Sequence, residues 1–92
     1  MEISFFQLEL IIREAAELGT ITAMVSSGRL KPYLKKSEAF KIYGRANVEN
    51  WLKNDLVTPR KDGDHSAAWR LDRIELETVS RSIRIFQSLL TN

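Results

Sequence analysis

The sequence predicts a mainly α-helical fold with one small β-hairpin, and three observations lead to this prediction. Apolar residues recur at alternating three- and four-residue steps near both ends of the chain, which is the spacing of one helix face. Two further helical segments in the middle are separated by Gly44. Behind them, turn-forming residues from Asp62 to His65 separate two β-prone segments. With 92 residues, 43% of them hydrophobic, we expect a single folded domain.

The first helical segment occupies residues 1–28. Gly19 and Thr20 are weak helix formers and could interrupt it, whereas Gly28 is suited to end it because glycine readily adopts the left-handed conformation. We expect the apolar stripe of this helix, which Phe5 and Ile12 widen, to face the core. The stripe consists of Leu8, Ile11, Ala15, Leu18, Thr22 and Val25.

A connector from Leu30 to Lys36 leads into the central part of the chain. Pro32 disfavours helix at the residue before it, and Tyr33-Leu34 could extend as a short strand. Ser37 is the expected N-cap of a short helix, and Gly44 supplies the sharp turn that follows it. The residues expected to pack this helix against the next one are Ala39, Phe40 and Tyr43.

The helix after Gly44 begins at Arg45 or Ala46 and is expected to end near Asp55. Its inward face consists of Val48, Trp51, Leu52 and Leu56, and its outward face of Arg45, Asn47, Asn50, Lys53 and Asn54. Arg pairs well with guanine and Asn with adenine in the major groove of DNA, while three Asn residues lower helix stability. This composition favours a recognition helix over the alternative, an ordinary polar surface helix.

The hairpin is predicted from Leu56-Val57-Thr58 and from the returning segment 67–71. Arg60 and Lys61 lie near its tip, where side chains could contact DNA phosphates, and Arg70 lies on the returning strand. Trp69 is expected to pack in the core. His65 is expected to be a loop residue without a metal-binding or catalytic role. Residues 34–71 thus predict a winged helix-turn-helix with a recognition helix at about 45–55 and a wing at about 57–71.

The last helix covers residues 72–92. Asp72 and Glu75 have the spacing of a capping box, and the apolar stripe behind them consists of Leu76, Val79, Ile83, Phe86 and Leu90. We expect the two terminal stripes to pack on each other. Four apolar residues lie off these stripes and could contact a partner protein: Phe6, Leu10, Ile85 and Leu89. Since dimers read two half-sites of an operator, a homodimer through the terminal helices is a hypothesis.

Charge is concentrated in the middle of the chain. Residues 29–61 carry nine Lys or Arg against three acidic residues, although the formal net charge of the whole chain is only +2. A basic block that coincides with a helix-turn-helix pattern indicates a polyanionic partner. Lys35, Lys36 and Lys41 are the residues expected to hold phosphates from the first helix of the pattern.

The segment from about Leu34 to Leu76 resembles the DNA-binding domains of MerR-type regulators and small phage excisionases. The resemblance rests on the segments LVTPR (56–60), DG (62–63), WRL (69–71) and RIEL (73–76). It implies that the helix after Gly44 enters the major groove while the wing follows the DNA backbone. The chain departs from the pattern at Asp55, where the family usually has Gly, and at Glu49, where MerR-type proteins often have Arg. The MerR dimerisation helix and effector domain have no counterpart here, so we expect no small-molecule or metal effector.

Other classes of function are disfavoured. The chain has no cysteine and one histidine, which argues against a disulfide framework and a thiolate zinc site. No nucleophile with a base and no glycine-rich phosphate loop occurs, so we expect no enzyme and no cofactor. The apolar run Ile3–Ile12 lacks the features of a targeting segment, and we expect a cytoplasmic protein without membrane contact.

The sequence therefore predicts a sequence-specific binder of double-stranded DNA, either a transcriptional regulator or an excisionase-like factor. The alternative is a protein–protein interaction adaptor that keeps the winged-helix fold and binds its partner through the terminal apolar helices.

Overall fold

Helices dominate the structure, and three very short strands form one antiparallel sheet. The computed structural model describes residues 2–61 and 69–91. In chain order the elements are α1 (Phe5–Ser26), β1 (Tyr33–Leu34), α2 (Lys36–Tyr43), α3 (Arg45–Lys53), β2 (Arg60–Lys61), β3 (Trp69–Asp72) and α4 (Arg73–Leu90). The prediction of a mainly α fold with a small β element is confirmed. The turn predicted from Asp62 to His65, and Ala67 and Ala68 of the returning segment, lie outside the described residues.

The core lies where α2, α3, the sheet and the first turns of α4 meet. Its buried members come from every one of these elements, and they are Leu34, Ala39, Val48, Trp51, Val57, Leu71 and Leu76. Phe40, Tyr43, Leu52, Val79 and Ile83 pack around them. The predicted inward faces of α2 and α3 are confirmed except at Leu56, which is exposed, while its neighbour Val57 is buried in its place.

The junction between α2 and α3 is a single-residue turn at Gly44. This residue has φ +90°, a left-handed value that glycine adopts without steric cost. The start of α2 differs from the prediction, because Lys35 rather than Ser37 is the N-cap. Glu38 makes Ser37 unnecessary as a cap: its carboxylate accepts a hydrogen bond from the backbone N–H of Lys35 at 2.9 Å and pairs with Lys31. The hydrogen bond from Lys31 lowers the pKa of Glu38.

α3 ends at Lys53, two residues earlier than predicted, and the turn behind it contains the strained residue Asp55. Asp55 has φ +57° and is the non-glycine residue with positive φ in the described part of the chain. The backbone N–H of Leu56 then bonds the carbonyl of Trp51 at 2.8 Å, which closes the helix end. The backbone at Asp55 therefore suits Gly better than it suits Asp.

The sheet has the order β1-β3-β2, with both neighbours antiparallel to the central strand β3. The short strand at Tyr33-Leu34 is confirmed. The first hairpin strand lies at Arg60–Lys61 and not at 56–58 as predicted, because the backbone N–H of Thr58 bonds the Glu75 carboxylate of α4 at 2.6 Å. Trp69 was expected in the core, but more than a third of it is exposed.

α1 runs unbroken through Gly19 and Thr20 and packs antiparallel on α4. Near its start, the Gln7 side chain donates to the carbonyl of Ser88 at 3.1 Å. Further along, the Glu14 carboxylate binds Arg81 and Arg84. These contacts pair the beginning of α1 with the end of α4.

The face of α1 that contacts α4 is not the one predicted. Gln7 and Glu14 are its buried residues, whereas Leu8, Ala15 and Thr22 of the predicted stripe are exposed. Ile11, Leu18 and Val25 border both faces and are partly buried. The reason is the charge on α4: Arg81 and Arg84 attract Glu14 into the interface, which turns the helix so that the neighbouring apolar positions face outward.

α4 begins as predicted at Asp72, whose Oδ1 accepts from the backbone N–H of Ile74 at 2.8 Å and of Glu75 at 3.1 Å. The second half of the predicted capping box is wrong, since the Glu75 carboxylate binds Thr58 instead. The apolar stripe of α4 is buried at Leu76 but becomes exposed at Phe86 and Leu90, where the two terminal helices extend beyond the core.

Candidate functional site

A positively charged depression lies on the outer face of the sheet. It has a volume of about 350 Å³ and is lined by Tyr33, Arg60, Lys61 and Arg70. Arg60 and Arg70 are directly opposite each other on β2 and β3, so their side chains project from the same face. The buried Leu34 and Leu71 project from the other face, which is why alternation along the strands puts charge outside and apolar groups inside.

Tyr33 holds one of these arginines in place. The Arg60 guanidinium lies 5.7 Å from the centre of the Tyr33 ring, and its Nη1 donates to the Tyr33 hydroxyl at 3.3 Å. A cation over an aromatic face is attracted to it. The contact connects β1 and β2, the two outer strands of the sheet, and orients Arg60 over the depression.

The positive charges around this depression repel one another. Like charges directly opposite on neighbouring strands destabilise a sheet, and among the described residues that line the depression the ionisable ones other than Tyr33 are all cationic. An anion bound in the depression would attract these cations and offset their mutual repulsion. A phosphate group, which accepts several hydrogen bonds from Arg and Lys, has suitable size and charge.

The predicted lysines of α2 lie at its two ends. Lys35 and Lys36 directly follow β1 and are exposed at the start of the helix, and Lys41 is exposed in its last turn. None of the three forms a salt bridge with another described residue. They therefore keep their charge available to a ligand.

The outward face of α3 is made of Ala46, Glu49, Asn50 and Lys53. These residues follow three- and four-residue steps opposite the buried Val48, and all four are exposed. Asn50 and Lys53 were predicted to face outward. Ala46 and Glu49 share this face but were absent from the predicted set, and simple helical spacing from Asn50 would have found both.

Arg45 lies at the side of this face and is held by two contacts. Its Nε donates to Glu49 at 2.7 Å, and its guanidinium lies 5.6 Å from the centre of the Phe40 ring. The hydrogen bond that Arg45 donates to Glu49 raises the pKa of Arg45. Glu49 therefore neutralises much of the charge that Arg45 would offer to a polyanion.

Asn47 lies on the side of α3 that faces α4. Its Nδ2 donates to the carbonyl of Tyr43 at 2.9 Å, which ties α3 to the end of α2. Together with Trp51, it borders a cleft of about 220 Å³ whose other wall is α4, from Ser80 to Gln87. The sequence predicts Asn47 as an outward residue. It is exposed, but its amide already donates a hydrogen bond to the turn between α2 and α3.

The ten predicted site residues thus fall into three groups. Arg60, Lys61 and Arg70 are brought together around one depression, whereas the α2 lysines and the α3 residues Arg45, Asn47, Asn50 and Lys53 lie on their own helices. Sequence reasoning missed Tyr33 as a member of the depression. Its alternation with the buried Leu34 was the available signal, because it implies an outward side chain.

Other kinds of site receive no support in residues 2–61 and 69–91. Within these ranges no three His, Cys, Asp or Glu side chains come close enough to hold a metal ion, and no helix combines the length and apolarity needed to cross a membrane. His65 lies outside the described residues. Comparison with protein-family models, curated proteins and solved structures finds no match.

Proposed function

We propose that this protein is a winged helix-turn-helix protein that binds double-stranded DNA. The observation that carries the proposal is the basic depression, around which Arg60, Lys61 and Arg70 lie together, with no acidic residue among the described residues that line it. Phosphates supply most of the affinity of DNA-binding proteins, and three cations around one depression are suited to two neighbouring phosphates of one strand.

The two short helices would supply the remaining contacts. α3 enters the major groove, where Asn50 and Lys53 are its foremost polar side chains and can reach base edges. Arg45 and Asn47 lie at the sides of α3 and approach the groove walls. Lys35, Lys36 and Lys41 of α2 bind phosphates beside the groove. The protein acts in this way as a transcriptional regulator or as an excisionase-like factor of recombination.

A salt titration tests the proposal. If the three α2 lysines and the three cations of the depression each neutralise one phosphate, the logarithm of the association constant falls with the logarithm of salt concentration with a slope of about −5. Fluorescence anisotropy with a labelled random duplex measures this slope. Failure to bind any duplex at low salt would refute the proposal.

Single substitutions locate the interface. Lys61→Ala and Arg70→Ala should each reduce the slope by about 1 and weaken all duplexes about equally. Arg13→Ala is the matched control, because Arg13 is an exposed cation on α1, and it should leave the slope unchanged. An equal loss from Arg13→Ala would mean that binding follows net charge and not this surface.

Two substitutions on α3 test how it contacts DNA. Asn50→Ala should relax base preference at one position of a binding site selected from a random library, with little change on random duplex. Glu49→Gln should strengthen binding and steepen the salt slope by up to about 1, because it removes an acid from the outer face and releases Arg45. Weaker binding by Glu49→Gln would indicate that Glu49 contacts a base.

A second candidate, a protein–protein interaction adaptor, is favoured by one observation: the beginning of α1 and the end of α4 expose several large apolar side chains. An adaptor would show no duplex binding even at low salt.

A further inference from the structure

α1 has two unlike faces, and the apolar one is exposed. The face against α4 buries Gln7 and Glu14, which are 6% and 4% exposed. On the opposite side Phe5, Leu8 and Ile12 are 71%, 48% and 61% exposed. An isolated chain would gain free energy from the reverse arrangement, since burying large apolar side chains is favourable and burying polar ones is costly.

The exposed apolar face continues along the whole helix as a stripe of alternating three- and four-residue steps. Its members, here called the α1 stripe, are Phe5, Leu8, Ile12, Ala15, Gly19 and Thr22, with Ala16 and Ala23 beside them, and all are exposed. No charged residue belongs to it. An apolar stripe of this kind is typical of helices that pair with a second helix.

The exposed area of the α1 stripe approaches that of a small protein–protein interface. If a large apolar residue offers about 200 Å² when fully exposed, then Phe5, Leu8 and Ile12 leave roughly 350 Å² uncovered. The smaller residues of the stripe bring the total toward the ~800 Å² per partner of a standard protein–protein interface. Patches of this size on a soluble protein mark interaction sites.

We propose that the α1 stripe is the interface of an antiparallel homodimer, in which α1 of one chain packs on α1 of a second copy. The distribution of side-chain size supports this partner. The first half of the stripe is large and the second half is small, so an antiparallel pair places Leu8 on Gly19 and Ile12 on Ala15 of the other chain, in both directions. A parallel pair would put large on large at one end and leave a gap at the other, which close packing disfavours.

Gly19 fits this role in the dimer, and no contact in the described part of the chain requires glycine there. A Cβ added at Gly19 meets no atom within 4 Å, and glycine lowers helix stability in the middle of a helix. A small residue at this position allows close approach of another helix that carries a Leu8 side chain.

The dimer has a consequence for DNA binding that rests on the proposed function. With Leu8 opposite Gly19, the two Ser26 residues at the ends of the α1 helices lie roughly 37 Å apart, at 1.5 Å per residue. Successive major grooves on one side of B-DNA are about 34–36 Å apart. The pair of helices can therefore serve as a spacer between two half-sites.

Oligomeric state in the absence of DNA tests the dimer independently of the proposed function. Sedimentation equilibrium of the wild-type chain at micromolar concentration should give twice the monomer mass. Ile12→Lys should weaken association at least 100-fold, whereas Ile42→Lys, at a comparably exposed isoleucine on α2, should leave it unchanged. Gly19→Leu should also abolish the dimer while retaining or raising helicity by circular dichroism, which excludes misfolding as the cause.

Cross-linking tests the orientation, because the chain has no cysteine of its own. A mixture of Leu8→Cys and Gly19→Cys chains should form a disulfide-linked dimer under mild oxidation, and neither variant alone should do so. A monomeric wild-type chain would overturn the proposal, as would efficient self-linking of Leu8→Cys, which indicates parallel helices. Wild-type chains that stay monomeric but sediment with phosphatidylcholine vesicles would assign the stripe to a membrane surface instead.

Discussion

Replacing Arg81 by Met should strongly destabilise the fold, because Arg81 is the centre of a network of ion pairs between α1 and α4 that a hydrogen bond extends to α2. Its Nη1 lies 2.9 Å from Glu14 and 2.7 Å from Glu17 of α1, and its Nη2 lies 3.1 Å from Glu77 on α4. The second oxygen of Glu77 accepts from the hydroxyl of Tyr43 on α2 at 2.8 Å. The network therefore fixes the position of α1 and α4 relative to the helices that carry the candidate site.

The magnitude follows from burial. The side chains of Arg81, Glu14 and Glu77 are 15%, 5% and 14% exposed, so removing the guanidinium leaves two nearly buried carboxylates with one partner each. Breaking a buried pair in this way costs about 3–5 kcal/mol. The Nε of Arg81 is buried without a hydrogen-bond acceptor among the described residues, which reduces what the network contributes. We therefore expect Arg81→Met to lower the free energy of unfolding by about 3 kcal/mol, which corresponds to a decrease in Tm of about 12–24 °C for a domain of this size.

Thermal unfolding followed by circular dichroism measures the effect. Arg84→Met is the matched control: Arg84 is more than half exposed and, among the described residues, pairs with Glu14 alone, so its loss should cost at most about 1 kcal/mol. Glu14→Gln combined with Arg81→Met should cost less than the two single changes together, because the residues share one interaction. The reasoning is refuted if Arg81→Met costs less than about 1 kcal/mol, or if Arg84→Met costs as much as Arg81→Met.

Three further predictions concern stability. Burial raises the pKa of Glu14, but the hydrogen bonds and charges of Arg84 and Arg81 outweigh burial and lower this pKa below its ordinary value of 4.5. Ionised Glu14 therefore contributes its full stabilisation of the fold above about pH 4.5. This contribution is lost as the pH falls through the lowered pKa of Glu14 in the folded state. Melts from pH 7 to pH 3 should show this decline, and Glu14→Gln should flatten it. Asp55→Gly should raise stability by about 0.5–1 kcal/mol in denaturant unfolding, because glycine adopts positive φ without strain, and a loss would mean that the Asp55 side chain makes a stabilising contact. Val57→Ala should cost about 2 kcal/mol, as expected for a buried residue, whereas Leu56→Ala should cost under about 1 kcal/mol; the opposite order would contradict the observed core.

The local sequence accounts for most element positions. Gly28 and Gly44 end or separate helices because both need positive φ, and Asp72 caps α4 because its carboxylate can reach two free backbone N–H groups. These features depend on neighbours within four residues. Errors occurred where a distant residue competes: Glu75 binds Thr58 across 17 residues, which shifts the first hairpin strand and removes the second half of the capping box.

The candidate site, too, could be predicted from local sequence only in part. Outward positions on α3 follow from helical spacing, so Asn50 and Lys53 were predictable. The depression was not predictable as a unit, because β1 joins the sheet from a point 36 residues before β3 in the chain and brings Tyr33 next to Arg60.

By itself, the sequence determined a mainly helical chain with a basic middle, a glycine turn between two short helices and amphipathic terminal helices. Only the tertiary structure decided which face of α1 is covered. Helical spacing predicts that apolar residues share a stripe, but it does not say what lies opposite. Arg81 and Arg84 on α4 draw Glu14 into the interface because a carboxylate near two guanidinium groups is stabilised there. That one pairing across some 70 residues leaves Phe5, Leu8 and Ile12 facing outward.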